Sequence, residues 1–295
     1  MTIRNLIFSS GGYKGLYIIG AFKHLIDTGT IDVNELQNIW GTSIGSVMGA
    51  IICLKPDFDD IIEFILKKPW QKELDLTLEK LLETVGKKGF FGKKILKNFF
   101  EHILRNNGLS KTITLKELYE HSNIKLNILV TNLTSFTLEI FNHETAPNMI
   151  LIDALYMSCT IPFVFQPEFK DGNCYMDGAM INAYPLNLCL SELEKNEHFD
   201  KKEILGFKIV NEKIRDCHEN SSIFYFGYYM IHKIIHDNYN YKIQDNDVNE
   251  VIIPGTEINI EDAKKILLEE MERKKYIDAG KNYAKIYLNY KKINL

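Results

Sequence analysis

The chain opens with a short apolar run, Thr2 to Phe8, that stops at Ser9-Ser10-Gly11-Gly12, the pattern of a buried strand ending in a turn. From Lys14 to Thr28 the apolar residues Leu16, Ile19, Phe22, Leu25 and Ile26 recur at helical spacing, and Gly29 marks the stop. A second strand is expected over Leu36 to Trp40, leading through a turn into an apolar helix. Strand, helix and strand in so short a stretch predict a right-handed crossover between adjacent parallel strands. From Phe58 to about Asn107 the period is helical and lysine-rich, over Asp59–Lys67, Leu74–Val85 and Lys93–Arg105, with Pro69, Gly86 and Gly89 as punctuation. Strands are expected again at Lys125–Asn132, Thr137–Phe141, Gly172–Met176 and Leu205–Val210, with a helix at Ile150–Ser158. The aromatic stretch Ile223 to Ile235 has the density of a buried helix or a subunit contact; a core role is expected, with acyl-chain binding as the lesser alternative. The end reads as two helices, Glu261–Met271 and Ile277–Tyr290. This order predicts an α/β catalytic domain over about 1–215 with a helical insert at about 58–107, and a helical C-terminal segment, 216–295, packed on it.

Composition narrows the function. The chain has 295 residues, 45% hydrophobic and 25% charged, enough for a sizeable core. Its net charge of -4 offers no bulk basic field for nucleic acid. Cys53, Cys159, Cys174, Cys189 and Cys217 are odd in number and form no C-x-x-C pair, so neither a disulfide framework nor a metal site is expected, and a reducing compartment fits. The N-terminal apolar run is too short for a signal-peptide core, Thr2 excludes myristoylation, and the longest apolar run, Ile44 to Leu54, falls short of a bilayer span. The expectation is a cytoplasmic protein, peripheral to membranes at most, with no sequence signature of oligomeric state.

The chemistry gathers at two glycine-rich turns. Gly41-Thr42-Ser43-Ile44-Gly45 fits a G-x-S-x-G elbow between strand and helix, where Ser43 would project as a nucleophile toward the positive helix N-terminus; a plain Gly/Ser turn fits the same letters. Ser10-Gly11-Gly12-Tyr13-Lys14-Gly15 opens the first helix. It lacks the Gly-Lys-Ser/Thr of a phosphate loop, and the second strand lacks the acidic end of a dinucleotide fold. The reading that uses both turns is an oxyanion hole, with the N–H groups of Gly11 and Gly12 facing a carbonyl oxygen attacked by Ser43. Lys14 either adds positive charge there, fixes the loop, or is a solvated helix-start lysine. Asp177-Gly178 follows an apolar strand without a hairpin partner behind it, which places a carboxylate at a buried turn as well as it marks an ordinary one. His198, His218, His232 and His236 follow in the order of a Ser-Asp-His triad, but none has a strand-end, glycine-flanked context. The sequence therefore favours a Ser43–Asp177 dyad in which the aspartate takes the serine proton directly.

These motifs, Ser-Gly-Gly-Tyr-Lys-Gly at 10–15, Gly-Thr-Ser-Ile-Gly at 41–45 and Asp-Gly-Ala at 177–179, resemble the signatures of patatin-like phospholipases in their order and rough spacing. The block from Ser158-Cys-Thr-Ile-Pro162 to Gln166-Pro167 and the later Pro185 are also similar to that family, and the resemblance covers about residues 3–210. It implies a three-layer α/β/α domain that hydrolyses phospholipids or related acyl lipids as a phospholipase A type enzyme, without calcium or another cofactor. By motif position Ser43 corresponds to the nucleophile and Asp177 to its partner. Gly11, Gly12, Lys14 and Gly15 correspond to the oxyanion loop, and Gly41, Gly45 and Gly178 to the motif glycines. One departure is Ser10, which stands where the family usually has its first glycine; its backbone N–H is still expected to serve.

The insert from Lys87 to Arg105 carries a net charge of about +5, with Phe90, Phe91, Ile95, Leu96, Phe99, Phe100, Ile103 and Leu104 among the charges. It reads either as an amphipathic helix that docks on anionic lipid or as a cap helix with its lysines in water. Two rivals to the dyad hydrolase remain open: an α/β-hydrolase esterase with a Ser-His-acid triad, and a catalytically silent or partner-activated lipid-binding protein of the same fold.

Overall fold

The computed structural model describes residues 2–72, 86–195, 199–211, 217–221, 223–240, 248–255 and 265–293; the expected helix at Leu74–Val85, His198 and the start of the expected helix at Glu261 lie outside them. Strand β1 (Asn5–Phe8) is buried throughout and pairs in parallel with β2 (Asn38–Thr42), Phe8 lying opposite Gly41. The connection is helix α1 (Gly15–Asp27), so the expected crossover is present. β4 (Lys125–Asn132) adds in parallel beyond β2, while β9 (Ile204–Asn211) and then β10 (Asn249–Gly255) add in parallel beyond β1. β5 (Thr137–Phe141) and β8 (Asn173–Asp177) run antiparallel to β4, and β7 (Glu168–Lys170) closes that edge on β8. The sheet is thus mainly parallel, in the order β10-β9-β1-β2-β4-β8-β7 with β5 also on β4.

The way β4 shares its edges decides where the chemistry sits. β5 covers Ile128 to Asn132 along one edge. On the opposite edge β2 stops with Thr42 facing Leu129, and from Val130 onward the same edge is occupied by β8, whose last residue, Asp177, faces Val130. Because β8 runs against β4 and β2 runs with it, the carboxyl ends of β2 and β8 meet head-on at one point.

Both faces of the sheet are covered, which is why its strands read as nearly continuous apolar runs. Leu6, Phe8, Ile39, Leu126, Ile128, Leu205, Phe207 and Val251 face the main core, which α1, α2 (Ile44–Cys53), α5 (Leu115–Ser122) and α6 (Leu151–Cys159) help to build. Ile7, Trp40 and Leu129 alternate to the other face and meet α7 (Leu186–Leu193) through Leu186, Cys189 and Leu190. The result is three layers of unequal thickness. A last helix, α9 (Glu270–Ile293), crosses α1 so closely that a Cβ on Gly20 would overlap the Ile277 carbonyl, and one on Gly280 the Tyr17 carbonyl.

Several sequence expectations change. The end of the chain is not wholly helical: Asn249–Gly255 forms edge strand β10, where Pro254 is tolerated and only alternate residues are buried. The break between the two C-terminal helices lies earlier than expected, at Glu269, because the polar stretch Glu272-Arg-Lys-Lys275 consists of good helix formers and belongs to α9. Arg273 is itself buried, donating to the carbonyls of Ile266, Leu267 and Leu66; the last of these lies at the end of α3 (Phe58–Lys67). Helix α8 (Ile223–Asn240) is not a core helix, because Phe226, Met230 and Ile234 are 47%, 46% and 44% exposed in an i, i+4, i+8 row.

The insert also departs from an all-helical reading. Gly89–Phe91 forms β3, which pairs in parallel with β6 (Phe163–Phe165) as a separate small sheet. Helix α4 (Lys94–Asn106) buries Phe99, Phe100, Ile103 and Leu104 in the main core, with Phe99 against Phe64 and Trp70. Its apolar face is therefore already occupied by protein. Lys93 reaches Asp153 at 2.9 Å and Glu168 at 2.5 Å, tying the insert to α6 and β7.

Candidate active site

β1 and β2 are adjacent parallel strands, so the loop after Phe8 and the turn after Thr42 emerge side by side at their carboxyl ends, where open α/β sheets place their sites. Ser43 is the N-cap of α2, with φ 57° and ψ -125°. A positive φ on a serine is strained, and the surroundings enforce it. Gly45 packs so tightly on β1 that a Cβ there would overlap the Phe8 carbonyl, and a Cβ on Gly41 would stand 2.6 Å from the Gly45 carbonyl carbon. Ser46 Oγ donates to the Ser43 carbonyl at 2.6 Å, and Thr42 Oγ1 donates to the Asn182 carbonyl at 3.0 Å.

Asp177 arrives from β8 at the same point. Its N–H donates to the Thr160 carbonyl at 2.9 Å, its own carbonyl accepts from Thr131 Oγ1 at 2.9 Å, and a tight turn over Gly178–Met180 follows. Ser43 Oγ donates to Asp177 Oδ2 at 2.6 Å, and the other carboxylate oxygen, Oδ1, accepts from Ala179 N–H at 2.9 Å. Both residues are buried, Ser43 4% and Asp177 1% exposed. Burial raises the carboxyl pKa from its ordinary 3.8 to about 7, and the hydrogen bonds from Ser43 and Ala179 only partly oppose that rise.

The loop of residues 9–15 forms the neighbouring wall. Gly12 has φ 56°, in the region that favours glycine, and opens a short turn, Gly12–Lys14, that runs into α1 at Gly15. Among the described residues none accepts a hydrogen bond from Gly11 or Gly12 N–H. Ser10 differs: its N–H donates to the Ala183 carbonyl at 2.8 Å and so ties this loop to the loop after Asp177. The Ser10 backbone N–H is therefore not free to serve, contrary to the expectation from sequence. Lys14 is also not solvated; it is buried, with its ammonium 5.8 Å from the Tyr13 ring centroid.

A family model for patatin-like phospholipases matches residues 6–190. The chain belongs to the patatin-like phospholipase family. Among the curated proteins it resembles is a probable lipid hydrolase, 463L, of Invertebrate iridescent virus 6, 29% identical over 63% of this chain and 63% of that protein. Triacylglycerol lipase ptl3 of Schizosaccharomyces pombe is 23% identical over 70% of this chain and 45% of that protein. The match thus spans less than two thirds of these relatives' own length. Among solved structures, VipD from Legionella pneumophila superposes with a TM-score of 0.58 at 15% identity, covering 98% of this chain and 67% of that one. The type III effector ExoU gives 0.51 at 12% identity, over 98% and 53%, so the patatin fold is shared.

Within this patatin fold the Ser43 hydroxyl donates to a carboxylate, and two of the histidines pack on aromatic rings. His143 stacks on Tyr119 with ring centroids 3.7 Å apart, and His102 stacks on Phe64 at 4.6 Å. Sequence reasoning missed the residues that brace the site, namely Thr42, Thr131, Ser158 and Thr160. Each is a small hydroxyl residue whose use depends on strands far away in the chain; Thr42 lies in the Gly41–Gly45 turn and Ser158 and Thr160 in the block ending at Pro162, but neither pattern tells what they hold.

No metal-binding group of His, Cys, Asp and Glu occurs among the described residues, and no described helix is long and apolar enough to cross a membrane.

Proposed function

We propose that this chain is a lipid acyl hydrolase of phospholipase A type, working through Ser43, Asp177 and an acyl-enzyme. The observation that carries the reading is the buried 2.6 Å hydrogen bond from Ser43 Oγ to Asp177. A carboxylate near its ordinary pKa would be a weak base at neutral pH, whereas one raised to about 7 is matched to general-base work there. As Oγ attacks the ester carbonyl carbon, its proton passes to Asp177 Oδ2. The oxyanion faces the Gly11 and Gly12 N–H groups and the N-terminal end of α1, each well-placed donor contributing roughly 3 to 4 kcal/mol to the transition state. Collapse breaks the acyl–oxygen bond, and the leaving alcohol takes the proton from Asp177. Water then attacks the acyl-serine, losing a proton to Asp177, and the carboxylic acid departs as Ser43 regains its hydrogen.

In this reading residues 1–215 carry the chemistry, and the segment 216–295 completes the same body through β10 and α9. Lipid is the substrate class because the family and the names of the curated relatives point to it. Peripheral membrane contact through the insert rests on its exposed lysines, Lys87, Lys88, Lys94 and Lys97, rather than on a free apolar helix face. The test is fatty-acid release from mixed phospholipid vesicles and from triacylglycerol emulsions by wild type and Ser43→Ala. Release from the vesicles that disappears in Ser43→Ala supports the reading. Release that survives Ser43→Ala removes the serine from it, and release from the emulsion alone replaces the phospholipase assignment.

A further inference from the structure

The break between β2 and β8 on the edge of β4 contains a feature that the dyad chemistry does not use. β2 bonds to β4 through its odd-numbered residues: Lys125 N–H donates to the Gln37 carbonyl at 2.8 Å, and the register pairs Asn38 with Lys125 and Thr42 with Leu129. In a parallel ladder the bonded residues of a strand recur at every second position, so the rung after Gly41 joins Ser43 N–H to the Leu129 carbonyl. That rung is not made directly. The hydroxyl of Ser158, the penultimate residue of α6, stands inside it, accepting from Ser43 N–H at 3.0 Å and donating to the Leu129 carbonyl at 2.7 Å. Ser158 is 0% exposed. Two residues on, the Thr160 carbonyl accepts from Asp177 N–H at 2.9 Å, so residues 158–160 grip the backbone of both dyad partners.

We propose that Ser158 is a positioning residue: its hydroxyl is a one-atom spacer in the β2–β4 ladder that holds Ser43 out of the strand and against Asp177. The proposal rests on the dyad reading above. Without the hydroxyl, either the direct rung closes and draws Ser43 into the strand, or a buried N–H and a buried carbonyl lose their partner. Both displace Ser43 Oγ from the carboxylate, while lipid binding away from the turn is unaffected.

The test compares wild type with Ser158→Ala, Ser158→Thr and Ser158→Gly, following vesicle hydrolysis, fluorophosphonate labelling rate and melting temperature. Ser158→Ala is expected to lower kcat about 10- to 100-fold, the cost of a misplacement of about 1 Å, with KM little changed and labelling slowed by the same factor. Ser158→Thr keeps the hydroxyl and is expected to restore most of the rate. If its extra methyl does not fit, Ser158→Gly still decides the matter, because the vacated space admits a water as spacer and the rate should exceed that of Ser158→Ala. A merely structural serine would lower the melting temperature and leave kcat and labelling unchanged below it. Wild-type turnover in Ser158→Ala, or equal losses in all three variants, overturns the proposal. Ser43→Ala run alongside separates the two failures: if it remains active the dyad is wrong, and if it is inactive while Ser158→Ala is normal only the spacer role falls.

Discussion

Replacing Asp177 by asparagine should stabilise the protein at alkaline pH while abolishing turnover. The carboxyl is buried and its pKa stands near 7 in the folded protein against about 3.8 when exposed. Between those values the native state holds a proton that the unfolded chain has released, so stability falls as pH rises through the window, by up to about 1.4 kcal/mol per pH unit. The full penalty, present above pH 7, is on the order of 4 kcal/mol. The neutral amide of Asp177→Asn would carry no such penalty, and it can still pair with Ala179 N–H and Ser43 Oγ. Urea unfolding of wild type and Asp177→Asn from pH 5 to pH 9 measures this. The variant's advantage should grow by about 2 to 3 kcal/mol between pH 5 and pH 8. Parallel stability profiles for the two proteins would refute the claim that burial of this carboxyl sets its pKa.

The same carboxyl must be ionised to act as base, so kcat/KM should rise with pH and level off above about 7, and a profile falling over pH 5 to 8 would contradict the role. Gly280→Ala should force α9 off α1, where the new Cβ meets the Tyr17 carbonyl, and cost about 1 to 3 kcal/mol in denaturant unfolding with kcat unchanged below the transition. Lys93→Met should leave Asp153 and Glu168 facing each other and destabilise by about 1 to 2 kcal/mol, read out as faster limited proteolysis within the insert, whereas Lys93→Arg should be milder. Neutralising Lys87, Lys88, Lys94 and Lys97 together should weaken sedimentation with anionic vesicles and leave hydrolysis of a short-chain soluble ester intact; unchanged sedimentation would remove the insert from any membrane contact.

What the sequence reveals about the site follows from how local each feature is. Gly41 to Gly45 can be read because a strand-to-helix turn with two close backbone approaches demands glycine at fixed offsets from Ser43. The loop at Gly11 and Gly12 is legible for a different reason, since Gly12 holds φ 56°, in the region that favours glycine. The meeting of Ser43 with Asp177, 134 residues apart, is not local: it depends on β8 running antiparallel on the edge of β4 that β2 vacates, a register fixed by two separate long-range strand pairings. Ser158 belongs to a recognisable block, yet its role depends on the unmade rung between Ser43 and Leu129 and has no signature in its neighbours. In the insert, the interleaved lysines and aromatics fix an amphipathic helix but not what its apolar face meets; the core residues around Phe99 and Phe100 decide that. α8 shows the reverse error, since aromatic density suggested burial where Phe226, Met230 and Ile234 lie on the outer side of a helix packed over β6 and the turn after Asp177.

The central claim is that Ser43 is made nucleophilic by Asp177. Its most direct test is to treat wild type, Ser43→Ala and Asp177→Asn with a fluorophosphonate and map the adduct by peptide mass spectrometry. A single covalent adduct is expected on the peptide carrying Ser43 in wild type, none in Ser43→Ala, and strongly slowed formation in Asp177→Asn. Labelling of another residue, or labelling of Ser43 at the wild-type rate without the carboxylate, would contradict the claim.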